Sequence, residues 1–423
     1  MLRRAFVLLL GTLALAGCGG SYTGGFGNAF SSGGYGSSPL GLGPNQQGQG
    51  SGAGRHVALL LPLSGPHADI GQSMRQAAEL ALSEPGSPTL DVRDTGGTPQ
   101  GATTAAQAAV AAGDTLILGP LTSAETAAVA PIARSAGVAV LAFTNDPSQA
   151  QPGIWTLGIT PAQQVRRLVA AAQGQGHSQM AALLPNNDFG RAMADALNQA
   201  TAAAGLPPPR IRMHASGMAA ITAATRDLAD YADRRGPIDA QIKAARALET
   251  PEGRRTARDL SKSSIPPPPF DTLLLGDTRD ELAEIAAVLP YYDVYRSSVQ
   301  ILGPALWAAP SSGSGQMTGA WYAAPDSASR SGLQQDYAAR YNTPPPPLAD
   351  LAYDAASIAR VLAREGGYSF ASLARPGGYD GVDGWLVLLP DGQVRRGLAV
   401  FRIERGGPEM MEPAPQSGSA PGA

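Results

Sequence analysis

The chain has 423 residues, 43% of them hydrophobic and 15% charged, with a formal net charge of −3. That is ample apolar material for a core but too long a chain for one comfortable core, so two lobes are expected. Lysine occurs only at Lys243 and Lys262 and the other cations are arginines; the acidic balance excludes the basic field that attracts nucleic acid.

The first element is at the N-terminus. Arg3 and Arg4 precede an apolar stretch, 5–16, and Leu15-Ala16-Gly17-Cys18 follows with small residues and the only cysteine. Basic, then apolar, then small is the order of a secretory signal, and the stretch is too short to span a bilayer. The run resembles a lipobox, which implies a signal peptide over 1–17, cleavage before Cys18 and lipidation of Cys18. Three acyl chains anchor firmly, since two already suffice. Loss of Arg3 and Arg4 leaves a mature net charge of −5. With its thiol consumed, the mature chain has no intramolecular disulfide and must be held by packing. In the Gram-negative lipoproteins this resembles, an Asp after the cysteine retains the protein in the inner membrane. Gly19 therefore points to the outer membrane, facing the periplasm.

Residues 18–54 are Gly, Ser, Gln and Asn with isolated Tyr22, Phe26, Phe30 and Tyr35, and no charge. They read as a flexible tether with a root-mean-square span on the order of 30–35 Å, or, through the aromatics, as a contact segment for an envelope partner. No segment after Cys18 is apolar for long enough to cross a membrane.

Residues 57–63 form a continuous apolar run, as a buried parallel strand does, followed by a helix over 70–82. Strand 90–93, helix 100–112, strand 116–118, helix 122–136 and strands 138–143 and 155–157 repeat the rhythm. A second round runs through helix 162–173, strand 180–184, helix 191–204 and strand 210–214. It pauses at a charged, Ala-rich insertion, 218–264, and resumes with strand 272–275, helix 279–289 and strand 299–302. Helices 332–341 and 348–364 follow, then a hairpin of 385–389 and 398–403 turned by Asp391-Gly392. From 406 to 423 the Pro, Gly and Ser content predicts disorder. Two rounds of strand and helix predict an α/β protein of two doubly wound, Rossmann-like lobes.

Val57-Ala58-Leu59-Leu60-Leu61-Pro62-Leu63-Ser64-Gly65, Leu118-Gly119-Pro120-Leu121-Thr122-Ser123 and Tyr353-Asp354-Ala355 together resemble the type I periplasmic-binding-protein superfamily, the leucine-binding-protein-like flytraps. The resemblance implies a domain over 55–405 whose lobes are joined by three hinge crossovers. It places lobe one at about 55–158 and 318–375 and lobe two at about 159–317 and 376–405. Within that superfamily, the insertion with Leu228, Arg254, Arg255 and Leu260, together with Phe270-Asp271-Thr272-Leu273-Leu274-Leu275, Leu289-Pro290-Tyr291-Tyr292 and Leu302-Gly303-Pro304-Ala305-Leu306-Trp307, is most similar to penicillin-binding-protein activators. These are outer-membrane lipoproteins that stimulate peptidoglycan synthases. Enterobacterial activators carry a helical-repeat domain before the flytrap, where this sequence has its tether. The implied partner is a peptidoglycan synthase. The alternative is the solute-binding component of an ABC importer for amino acids.

Ligands of open α/β sheets gather at the carboxyl ends of strands. Ser64, Gly65, Thr122, Ser123, Thr144 and Asn145 are the candidates in lobe one, and Asn187, Asp188 and Asp277 in lobe two. Thr122 and Ser123 open a helix, which suits a ligand carboxylate. Thr122 with Glu125 is equally a capping box, and the two are compatible. Asp188 suits an ammonium or caps its helix; the matching loop of relatives carries a Tyr where this chain has Phe189. Asp94 with Gly96-Gly97 reads as a turn. Asp380 and Asp383 read as turn residues or a cation loop.

No S-x-x-K, Gly-x-Ser-x-Gly, H-E-x-x-H or P-loop occurs, and the four histidines are scattered, so neither an enzyme nor a metal or cofactor site is expected.

Overall fold

The computed structural model describes residues 56–326 and 328–415. The expected signal peptide, Cys18 and the expected tether lie outside the described residues. Strand β1 (His56–Leu61) is buried at every position after His56, as a central strand covered on both faces must be. Helix α1 (Ala68–Ala81), β2 (Thr89–Asp94), α2 (Pro99–Ala112), β3 (Leu116–Leu118), α3 (Ser123–Ala136), β4 (Ala139–Ala142) and β5 (Ile154–Thr156) complete the first round. The strands are all parallel, in the order β2-β1-β3-β4-β5. Alternate side chains build two cores, one around Leu59, Leu118 and Trp155 and one around Leu60, Ile117 and Val140.

The chain then crosses to a second sheet. Helix α4 (Pro161–Gly174), β6 (Met180–Pro185), α5 (Asp188–Ala203), β7 (Arg210–His214) and α6 (Met218–Leu228) lead to a helical hairpin of α7 (Tyr231–Ala247) and α8 (Pro251–Ser261). After it come β8 (Thr272–Leu275), α9 (Arg279–Val288), β9 (Gln300–Gly303) and β10 (Trp321–Ala324). The order β7-β6-β8-β9-β10 repeats the pattern of the first sheet. A second crossing leads to α10 (Ser331–Tyr341), α11 (Ala349–Glu365), which packs on α1, and the short α12 (Phe370–Leu373). A small antiparallel sheet follows, of β11 (Tyr379–Gly381), β12 (Gly384–Leu388) and β13 (Val394–Arg396). A third crossing enters β14 (Ala399–Glu404) and β15 (Gly407–Glu412), which extend the second sheet antiparallel beyond β10. Two doubly wound lobes joined by three crossovers are thus present, as the repeated rhythm predicts.

Five expectations need correction. The stretch from 318 to 324 belongs to lobe two, because β10 pairs with β9 and β14. Residues 379–396 belong to lobe one, because Tyr379, Leu386, Leu388 and Val394 pack into its core. The Asp391-Gly392 turn joins β12 to β13, and residues 399–404 pair elsewhere. The predicted disordered tail begins instead as strand β15, whose backbone completes the edge of β14. The insertion is also narrower than 218–264. Helix α6 buries Ile221 and Leu228 in the lobe-two core, so only the α7–α8 hairpin is added to the fold. Among the described residues no helix is long and apolar enough to cross a membrane.

Candidate functional site

In both sheets the strand order reverses beside the first strand of the round, between β1 and β3 and between β6 and β8. Such switch points open a crevice at the carboxyl ends of the strands. Ser64, Gly65, Thr122, Ser123, Thr144 and Asn145 sit at that end of the first sheet, and Asn187, Asp188 and Asp277 at that end of the second.

In lobe one the candidates come together, and the Ser64 and Thr122 amides and the Thr122 and Ser123 hydroxyls are taken by the chain's own carboxylates. Asp94 Oδ1 accepts the backbone N–H groups of Leu63 (2.8 Å), Ser64 (3.2 Å) and Gly96 (2.8 Å). Burial nudges its carboxyl upward; the bonds from Ser64, Gly96 and Leu63 outweigh that and hold it below the ordinary 3.8. Gly65 must be glycine here. Its φ is +79°, and an added Cβ would stand 3.1 Å from the Gly96 carbonyl oxygen.

Glu125 is fully buried at the start of α3. Its carboxylate accepts from the Thr122 N–H (3.0 Å), the Thr122 hydroxyl (2.7 Å) and the Thr95 hydroxyl (2.5 Å). Thr122 Oγ1 accepts the Glu125 N–H in return at 3.3 Å, closing the predicted capping box. Ser123 donates its hydroxyl to Asp146 at 2.5 Å, and Thr144 Oγ1 accepts the Asp146 N–H at 3.1 Å. Burial raises the Asp146 carboxyl, but the hydroxyls and backbone of Ser123 and Ser148 hold it below its ordinary value. Asn145 is exposed, with no side-chain bond of its own among the described residues. The Thr122 amide and hydroxyl at the start of α3 already hold the Glu125 carboxylate.

Lobe two does not gather its candidates into one constellation. Asn187, not Asp188, caps α5: its Oδ1 accepts the Gly190 N–H at 2.8 Å. Asp188 is the first helical residue, its side chain fully exposed and paired with Arg191 at 2.5 Å. Asp277 is buried. Its Oδ2 lies 3.2 Å from His214 Nε2, and its carbonyl accepts the Trp307 indole N–H at 2.9 Å. Burial lowers the imidazole of His214; the bonds to Asp277 and the Ala215 carbonyl outweigh it and raise His214 above its ordinary 6.5. Asp277 is therefore a structural partner and not a free ligand group.

Two concavities lie away from these loops. One, of about 480 Å³, is bounded by Arg93, Asp94 and the α2 residues Gly101, Thr104, Ala105 and Ala108. The other, of about 350 Å³, is on the α7–α8 hairpin. Neither is lined by a predicted cleft residue; the larger touches the loops only at Asp94.

Asp94, Thr95, Glu125, Asp146 and His214 are site residues that the sequence analysis did not select. Glu125 and Asp94 had local signals, the three-residue spacing of the capping box and the turn with Gly96-Gly97; the contacts Asp94–Leu63, Thr95–Glu125, Asp146–Ser123 and His214–Asp277 join residues 23 to 63 positions apart.

The structure resembles several solved proteins. It aligns with a putative branched-chain amino acid ABC transporter protein from Rhodospirillum rubrum at 19% identity and TM-score 0.65, covering 85% of this chain and 100% of that one. It aligns with the C-domain of LpoA, a regulator of PBP1A, from Haemophilus influenzae at 19% identity and TM-score 0.59, covering 84% and 99%. A branched-chain amino acid substrate-binding protein from Streptococcus pneumoniae in complex with isoleucine aligns at 16% identity and TM-score 0.51, covering 85% and 99%. Among curated sequences, an uncharacterized protein of Rickettsia prowazekii is 23% identical over 178 residues, which are 42% of this chain; the match spans about half, 48%, of that relative's length. The profile of the periplasmic binding proteins, typically non-enzymatic binding proteins, matches residues 56–408. The chain belongs to the periplasmic binding protein family.

Proposed function

We infer that this chain is a non-enzymatic, lipid-anchored protein of the cell envelope that binds and activates a peptidoglycan synthase. The observation that carries the reading is the state of the lobe-one loops. Asp94, Glu125 and Asp146 accept from the Leu63, Ser64, Gly96 and Thr122 amides and from the Thr95, Thr122 and Ser123 hydroxyls, groups that would otherwise be open to an anionic solute. An amino-acid carboxylate entering there would displace a bonded carboxylate and meet two more of like charge. The likeness to the LpoA C-domain, described as a regulator of PBP1A, supports the same reading. Contact with a synthase would then be made by the surface, where Tyr291 is 77% exposed and the α7–α8 hairpin is added to the fold. Cys18 would supply the anchor, and Gly19 favours the outer membrane.

A solute-binding role in amino-acid import is supported by the likeness to the Rhodospirillum protein over its whole length and by the exposed carboxylate of Asp188, suited to an ammonium. Crosslinking of a tagged, functional protein in living cells, followed by mass spectrometry, separates the two. Enrichment of a penicillin-binding synthase is expected. Capture of permease subunits without a synthase, together with a thermal shift of the purified protein by a branched-chain amino acid, would sink the activator reading.

A further inference from the structure

Both lysines of the chain, Lys243 and Lys262, fall within the α7–α8 hairpin and its end. From Tyr231 to Lys262 there are eight basic residues against five acidic ones, in a chain whose net charge is −3. Of those eight, only Arg234 and Arg235 are in ion pairs among the described residues. The others are exposed, and four converge on one concavity of about 350 Å³: Arg246 from α7, and Arg254, Arg258 and Lys262 from α8 and its end.

The convergence is built by local sequence. Gly253 sits where an added Cβ would come within 2.4 Å of the Ala245 carbonyl oxygen, so the two helices touch at the start of α8. Ile242, Ala245 and Ala257 form the seam. The i, i+4, i+8 spacing of 254, 258 and 262 then sets three cations along one face of α8, beside Arg246. Helix stability does not explain the arrangement. A cation near the end of a helix is favourable, which suffices for Arg246 and Arg258. Arg254, however, lies in the first turns of α8, where the dipole disfavours it, and is followed by Arg255. Arg254 Nη1 donates to the Glu249 carbonyl at 3.0 Å, which orients the guanidinium without neutralising it.

We propose that this concavity binds a phosphate-bearing ligand, of pyrophosphate or phospholipid-headgroup chemistry, through Arg246, Arg254, Arg258 and Lys262. Guanidinium groups present paired donors that match phosphate oxygens, and the lysine adds a point charge. The acidic residues of the hairpin, Asp233, Asp239, Glu249, Glu252 and Asp259, do not line the concavity. The site does not depend on which partner the lobes engage, since it needs no protein contact.

The test uses the full chain and the double variant R254E/R258E, with circular dichroism and thermal melting to verify that the exposed substitutions leave the fold intact. Isothermal titration with inorganic pyrophosphate at low ionic strength is the first arm. Sedimentation with phosphatidylglycerol vesicles, against phosphatidylcholine vesicles, is the second. Saturable pyrophosphate binding that weakens about tenfold or more in the double variant is the expected result. Vesicle binding that needs phosphatidylglycerol and is lost in the variant assigns the phosphate to a lipid; pyrophosphate binding without vesicle binding assigns it to a soluble ligand. Binding in neither arm, or binding that R254E/R258E leaves unchanged, overturns the proposal. A second variant, Lys262→Ala, is expected to weaken binding by a smaller factor, and no change there removes Lys262 from the site.

Discussion

Charge is handled in opposite ways at the lobe junction and on the α7–α8 hairpin. At the junction, Asp350 and Asp354 of α11, Asp383 of the β11–β12 turn, Arg330 and Arg396 are buried or nearly so. Arg396 Nη1 lies 3.3 Å from Asp354 and 4.0 Å from Asp383, and Arg330 pairs with Asp350. On the hairpin, six cations are exposed with no counter-ion among the described residues. A buried charge must find its partner inside the protein or unfold it; an exposed one is solvated and free to be met from outside. Burial thus separates groups that serve the fold from groups available to a ligand.

The largest expected effect comes from breaking the junction. Arg396→Met removes the cation that lies against both Asp354 and Asp383, and a loss of about 3–5 kcal/mol in denaturant unfolding is expected. Burial foremost, then the neighbouring carboxylates, already push Asp354 and Asp383 upward against the pull of Arg396. A carboxyl with a raised folded value is stabilising below its ordinary 3.8, a contribution lost as pH rises through the folded value. The R396M defect should therefore shrink at acidic pH, and an unfolding series at several pH values measures it. An equal defect at every pH would mean that packing, not charge, holds the junction.

Next in size is Glu125→Ala, which removes three accepted hydrogen bonds and the capping box, for an expected loss of about 1–3 kcal/mol. The same variant opens the α3 N-terminus. If it gains a thermal shift with amino acids that the native chain lacks, self-occupation of the loops is the reason the site is closed. A smaller effect is expected from His214. Because its folded value is raised, its stabilisation is complete below 6.5 and disappears as pH rises from there through the raised value. His214→Asn should flatten that slope, read from melting midpoints across the interval. Smallest of all is Arg258→Glu on the hairpin, expected to change stability by no more than about 0.5 kcal/mol. A large loss there would place the hairpin cations with the structural charges of the junction.

The fold was legible wherever the pattern is local. The run from 57 to 63, Thr122 with Glu125, and the repeated strand–helix rhythm are read within a few residues of one another. Errors arose where a short strand could join either sheet. Trp321–Ala324 is apolar and four residues long, so its register with β9 and β14 is a tertiary fact. Gly407–Glu412 carries no strand pattern and is ordered by the edge of β14. In the candidate site, Thr122 and Ser123 lie at the switch point the topology requires, yet their being engaged by Glu125 and Asp146 depends on loops that meet only in the folded chain. Asp277 was marked by its place after a strand, but its pairing with His214, 63 positions away, left no trace in the sequence.

Arg396 has one further bond: its Nη2 donates to the Leu157 carbonyl at 3.3 Å. Leu157 begins the first crossing, Arg396 ends the strand before the third, and Arg330, on the link from β10 to α10, is held by Asp350 one helical turn from Asp354. All three strands of the hinge are thus fastened to one pin on α11. Freeing any one of the three links therefore uncovers a buried charge, so their stabilities are coupled through Arg396, Asp354 and Asp350.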